Sequence, residues 1–190
     1  LISGVASLTA AIARVRSGHL PLEPIPELSH AGNLIYMMTG KKPTPDEERV
    51  MDVCLILHAD HGMNASTFAA LVVASTLADI YFSVGSGIGA LSGQLHGGAN
   101  QKAYAMLKEI GGPDNVKSWY KKACSEKRKI MGVGHRVYKT HDPRALILDP
   151  LAGYLAKKDK KINVLYETSK ILEKHVCCTL GAEKGHFPNV

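Results

Sequence analysis

Three histidine-bearing segments of this 190-residue chain carry residue types at spacings that can do chemistry. The first, His58-Ala59-Asp60-His61, sets two imidazoles three residues apart near a helix end, where they could ligate a metal or donate to carboxylate oxygens without one. It is not H-E-x-x-H, and no third ligand follows at a convincing spacing, so no metal is expected. Asn64, Ser66 and Thr67 follow as candidate helix caps, a role that suits Ser66 and Thr67 best. The second, LHGGAN at 95–100, places His96 before two glycines and a new helix. Glycine lets a substrate approach the backbone. The amides and positive dipole end of the helix start would suit a neutral imidazole acting as an uncharged hydrogen-bond donor. Taken by itself, His96 could equally be a turn histidine.

The third segment, GVGHRVYKTHDPRA at 132–145, is the most specific. His135 follows a glycine-rich loop, and Asp142-Pro143 starts a helix that carries Arg144 in its first turn. A cation there opposes the helix dipole by roughly a few tenths of a kcal/mol, which points to an anionic partner such as a carboxylate held bidentately. Arg136 and Lys139 read as solvent-facing or structural. A further motif, GSGIGA at 85–90, matches G-x-G-x-x-A after the strand-like DIYFSV, with Glu109 near the distance of a ribose-binding acid. The chain offers no series of βαβ units to support a dinucleotide site. The competing explanation is a helix whose small residues let neighbouring helices approach closely.

Helical periodicity dominates the elements that must position these groups. Ile2, Val5, Leu8, Ile12 and Val15 form one stripe, ended by Gly18; Ser29 caps a second helix that Gly40 closes. Thr44-Pro45-Asp46-Glu47 predicts a capping box and a third helix running into His58. Further helices are expected from about Ser66 to Ala78, from Ala99 to the Gly111-Gly112 pair, from Pro113, from Asp142-Pro143, and from about Ile162 to Leu180. Strand signals are confined to 79–84 and 129–138. The expected fold class is therefore mainly α, with at most a short β hairpin.

The balance of 23 Lys+Arg against 17 Asp+Glu is moderately basic, but Lys157, Lys158, Lys160 and Lys161 around Asp159 account for much of it. That run reads as a solvated loop, and few aromatics accompany the excess, so a nucleic-acid partner is not expected. Cys54, Cys124, Cys177 and Cys178 form no C-x-x-C pair or zinc-finger spacing and read as thiols in a reducing compartment. No apolar run approaches the ~20 residues needed to span a bilayer, so no membrane partner is expected. The start lacks a signal-peptide pattern and looks like a helix already under way, which suggests missing upstream sequence.

H-A-D-H-x-x-N-A-S-T, L-H-G-G-A-N, G-x-G-H-R-V-Y-K-x-x-D-P-R-A and F-P-N-V, in that order, together resemble citrate synthase. SHAGNLIYMMTG at 29–40 also has the look of a bacterial member, so the resemblance spans essentially the whole chain. It implies a helical fold with part of a large domain at 1–95 and most of a small, CoA-binding domain at 96–190. It also implies an acyltransferase that joins oxaloacetate to the methyl carbon of acetyl-CoA and hydrolyses the citryl thioester to citrate and CoA, a step of the tricarboxylic acid cycle. No metal and no permanently bound cofactor is implied; acetyl-CoA is a cosubstrate. His96 would hydrogen-bond the thioester carbonyl and stabilise the enol. His135 would polarise the oxaloacetate ketone, with His61 and Arg144 holding oxaloacetate. Leu95, Met131, Gly132, Val133, Gly134 and Asn189 match the region that cradles CoA. A homodimer or a hexamer of dimers is implied, in the cytoplasm of a bacterium or the mitochondrial matrix of a eukaryote.

One departure matters: the family's methyl-proton base is an aspartate immediately after P-N-V, and the chain given ends at Val190. The expectation is an internal piece of a longer polypeptide, inactive by itself. Related readings are 2-methylcitrate synthase, which would take propionyl-CoA, and the citryl-CoA-cleaving module of ATP-citrate lyase. A different class would be a non-catalytic ligand-binding or assembly domain.

Overall fold

The computed structural model describes residues 1–60, 62–93, 96–134, 140, 142–181 and 187–188. Among them every regular element is helical, and the β content is one isolated antiparallel bridge between Val133 and Pro188. The chain divides into two compact units, Leu1–His61 and Gly62–Val190.

The first unit holds α1 (Ile2–Arg16), α2 (His30–Thr39) and α3 (Pro45–Ala59), with α2 packed against both neighbours. Its ends follow local chemistry. Gly18 adopts φ 75°, and the amides of Gly18 and His19 return to the carbonyls of Val15 and Arg14, the paired bonds of a Schellman end. Ser29 Oγ accepts from the Gly32 amide at 3.0 Å, and Gly40 closes α2 in the left-handed region. Thr44 and Glu47 form the expected reciprocal capping box. Asn33 ties down the preceding loop through Ile25 and Leu28. The α1 stripe is a different matter: Ile2, Leu8, Ile12 and Val15 are exposed, and Ala10 is the buried residue.

The second unit begins with α4 (Ala65–Ala74) and α5 (Ile80–Leu91), which pack along each other. Residues 79–84, read from sequence as strand-like, are instead the cap and first turns of α5. The Asp79 carboxylate accepts from the Tyr81 amide at 2.7 Å. Aromatic and β-branched residues favour strands weakly, and here the cap and the four-residue spacing of buried Ser83 and Gly87 prevail. GSGIGA therefore lies inside a helix, not in a loop between strand and helix, which removes the context a dinucleotide fingerprint needs. Close helix contact through small residues is what the structure shows.

Beyond these come α6 (Ala99–Ile110), a 3₁₀ turn at Pro113–Asn115, α7 (Val116–Ser125), α8 (Pro143–Ala156) and α9 (Lys160–Val176), which ends in a π turn at Cys177–Gly181. The helix expected from Pro113 is thus a 3₁₀ turn leading into α7. α9 contacts α6, α7 and α8. Met106 and Ile110 of α6, Val116 and Tyr120 of α7, Ile130, and Leu172 and Val176 of α9 form one core. The strand-like 129–134 is a turn with Gly132 and Gly134 at φ 74° and 81°, which prevents an extended ladder. Residues 135–138 of that stretch lie outside the described residues. The four cysteines are free thiols. Among the described residues no helix is long and apolar enough to cross a membrane.

Candidate functional site

His96 sits in the turn between α5 and α6. The turn is held by backbone bonds from the His96 and Gly98 amides to the Gly93 carbonyl and from the Gly97 amide to Leu91 at 3.0 Å. A β-carbon at Gly97 would lie 2.4 Å from the Leu91 carbonyl oxygen and 2.7 Å from its Cδ1. The glycine after the histidine is therefore a packing requirement of the turn itself.

The imidazole has a partner that sequence reading did not find. Ser66 Oγ lies 2.8 Å from His96 Nε2. The sequence suggests Ser66 as a cap, but Asn64 is the N-cap of α4, its side chain accepting from the Thr67 amide at 3.0 Å, and Ser66 is left to reach across. No local pattern could have announced this, because the pair is 30 residues apart.

Arg144 lies in the first turn of α8, whose N-cap Asp142 is fully buried. The Asp142 carboxylate accepts from the Arg144 amide at 3.0 Å, from Nε at 3.1 Å and from Nη2 at 2.6 Å. A bidentate carboxylate does face the guanidinium, as the dipole argument required, and one such carboxylate is supplied by the same helix. Its sequence signal was Asp142-Pro143, read only as a helix start.

Met131, Gly132 and Val133 line a cavity of about 370 Å³ with α6, α8, α9 and Pro188. Met106, Leu107, Leu172 and Val176 make it largely apolar, while Lys170, bridged to Asp149 at 3.2 Å and Glu173 at 2.6 Å, stands at its wall. Gly134 donates its amide to the Phe187 carbonyl at 2.8 Å, which joins this loop to the segment that carries the P-N-V sequence. His61, Leu95, His135 and Asn189, expected at the site, lie outside the described residues, as do Arg136 and Lys139. The structure gathers Met131–Val133 around one cavity, pairs His96 with α4, and seats Arg144 on the cap of its own helix. Among the described residues no cluster of three or more His, Cys, Asp or Glu could hold a metal ion.

Glu109, weighed from sequence as a ribose-binding acid, is otherwise engaged. Its carboxylate accepts from Arg128 at 2.8 and 2.9 Å and from Trp119 Nε1 at 3.0 Å, and Arg128 stacks 5.4 Å from the Trp119 ring centre. These hydrogen bonds, Arg128 first, hold its pKa at about 2 against an ordinary 4.5. A depressed carboxyl pKa contributes stability that is complete above the unfolded value and is lost as pH falls through the folded one. Urea midpoints of wild type and Glu109→Gln should therefore differ by a constant amount above about pH 5 and converge toward pH 2. A difference undiminished at pH 2 would show that the pair contributes through something other than charge.

A family model, the C-terminal domain of citrate synthase, matches residues 1–190. The chain belongs to the citrate synthase family. Citrate synthase of Deinococcus radiodurans is 47% identical over 190 residues, covering 100% of this chain and 50% of that protein. A Bacillus subtilis relative described as citrate/2-methylcitrate synthase is 38% identical over 194 residues, again 100% of this chain and 50% of the other. The chain thus spans about half the length of the curated relatives it matches. Among solved structures, the ternary complex of citrate synthase from Thermoplasma acidophilum with carboxymethyl coenzyme A and oxaloacetate aligns with a TM-score of 0.91 at 37% identity. It covers 97% of this chain and 48% of that one. The helical architecture of the citrate synthase fold is accordingly shared across both units.

Proposed function

We propose that this chain is the part of a citrate synthase that holds the thioester carbonyl and one end of oxaloacetate, the parent enzyme condensing acetyl-CoA with oxaloacetate to citrate and CoA. The observation that carries the reading is the Ser66–His96 pair at the entry of α6. A neutral imidazole has one donor and one acceptor nitrogen. With the Ser66 hydroxyl donating to Nε2, the proton resides on Nδ1, which can donate to a thioester carbonyl and stabilise the enolate oxygen as the methyl proton leaves. His135 takes the part of polarising the oxaloacetate ketone, and His61 and Arg144 that of binding oxaloacetate. The apolar cavity behind Met131–Val133 suits part of CoA, with Leu95, Gly134 and Asn189 completing the cradle. No metal or permanently bound cofactor enters this scheme.

The methyl-proton base is assigned by resemblance to an aspartate following P-N-V. The chain is therefore expected to bind oxaloacetate, more tightly with CoA present, and thiol release from acetyl-CoA and oxaloacetate is expected to depend on that aspartate. Titration calorimetry and a thiol-release assay check both halves. Absence of oxaloacetate binding, or binding unaffected by Arg144→Leu, would sink the substrate assignment, and turnover that does not depend on that aspartate would sink the assignment of the base. The Bacillus subtilis relative keeps propionyl-CoA in view as an alternative acyl donor. One methylene is worth only about 1–3 kcal/mol in a pocket, so kcat/KM for the two thioesters, measured on a full-length parent, decides.

The partition into large-domain residues 1–95 and small-domain residues 96–190, and a bacterial cytoplasmic location, belong to the same proposal. So does assembly into a homodimer or a hexamer of dimers. Phe68, Leu71 and Val72 of α4 and Ile80, Tyr81 and Phe82 of α5 are all exposed, more apolar surface than one helix pair ordinarily leaves in water. Light scattering should show self-association that Phe82→Glu weakens; a concentration-independent monomer would count against it.

A further inference from the structure

Ser83 and Gly87, four residues apart, are the buried positions of α5. Ser66 and Ala70, also four apart, face Gly87 from α4: a β-carbon at Gly87 would lie 3.3 Å from the Ser66 carbonyl oxygen and 3.6 Å from the Ala70 β-carbon. The other two glycines of the helix are unlike it, since a β-carbon at Gly85 or Gly89 would meet nothing within 4 Å. Ser66 thus works in two directions. Its carbonyl is seated against Gly87, and its hydroxyl stands 2.8 Å from His96 Nε2.

We infer that Gly87 is a positioning residue for His96, acting through Ser66: the absence of a side chain at position 87 sets how closely α5 seats on α4, and so where the Ser66 hydroxyl meets the imidazole. The crowded atom is backbone, so no side-chain rotation can relieve a β-carbon there. α4 must recede, and a recession of roughly a few tenths of an ångström is the whole margin between a 2.8 Å contact and the long end of a normal hydrogen bond. The inference rests on the reading of His96 as the functional ring. Its test reads the ring itself, so that failure of the proposed catalysis and failure of this inference are separate results.

The measurement is ¹⁵N NMR of the His96 ring in the whole chain, with the signal assigned by its loss in His96→Gln. Gly85→Ala and Gly89→Ala should leave the Nε2 shift at its wild-type value. Gly87→Ala should move it in the direction that Ser66→Ala moves it. In a Ser66→Ala background, adding Gly87→Ala should change nothing further, since the hydroxyl through which it acts is gone. A Gly87→Ala ring signal equal to wild type, or a displacement of the same size with and without the Ser66 hydroxyl, would overturn the inference. If Gly87→Ala does not fold, Ala70→Gly loosens the same crossing without adding volume. It should move the ring signal from its wild-type value only when the Ser66 hydroxyl is present, and an unchanged signal overturns the inference equally.

Discussion

Asp142→Ala is expected to destabilise the second unit by about 3–5 kcal/mol, the range for removing one member of a buried ion pair. The carboxylate is fully buried and serves both as the cap of α8 and as a bidentate partner of Arg144, whose side chain is only 12% exposed. Removing it leaves the Arg144 amide without this acceptor and a guanidinium facing the positive end of its own helix. Asp142→Asn can still cap but carries no charge, so its loss should be smaller. Urea denaturation of the three proteins gives the ranking directly, and an alanine variant within about 1 kcal/mol of wild type would refute the assignment of a buried pair. Since Arg144 is oriented by Asp142, oxaloacetate affinity should fall in both variants in the order of their stability losses.

Gly97→Ala should be the most damaging single-methyl addition in the site. The added carbon would fall 2.4 Å from a backbone oxygen that already accepts the Gly97 amide. The turn must therefore open, and overpacking of this kind costs about 1–3 kcal/mol. Opening it also carries His96 away from Ser66, so the ring should lose its hydrogen-bond signature along with the stability. Gly112→Ala is the matched control: a β-carbon there meets nothing within 4 Å, and the change should stay within about 0.5 kcal/mol. Equal effects at both positions would mean that the close approach at residue 97 is not what matters.

These two positions also show how far sequence could go. The caps at Ser29, Thr44 and Asp142 and the left-handed ends at Gly40 and Gly111 were legible because a cap is settled within three or four residues by hydrogen bonds that the chain offers itself. The class of fold followed from the same periodicity. What failed was information carried across the fold. Residues 79–84 have strand-like composition, and the Asp79 cap together with the burial of Ser83 and Gly87 on one face makes them helical. The α1 stripe was a sound helix signal but a poor guide to burial, since Leu8, Ile12 and Val15 face outward in this chain. Ser66 looked like a cap until a better one, Asn64, stood two residues ahead of it.

The bond from the Gly134 amide to the Phe187 carbonyl joins two segments that are far apart in sequence and meet only when α9 is docked on its core. Its exchange with solvent deuterium can therefore be slow only while both segments are in place, so the exchange rate of this one amide counts the molecules in which they are. Val133 and Pro188, its neighbours, also line the apolar cavity. A molecule entering that cavity would clamp both sides of the bond together. The Gly134 amide would thus record occupancy of the cavity through a clock on the backbone, independently of any turnover.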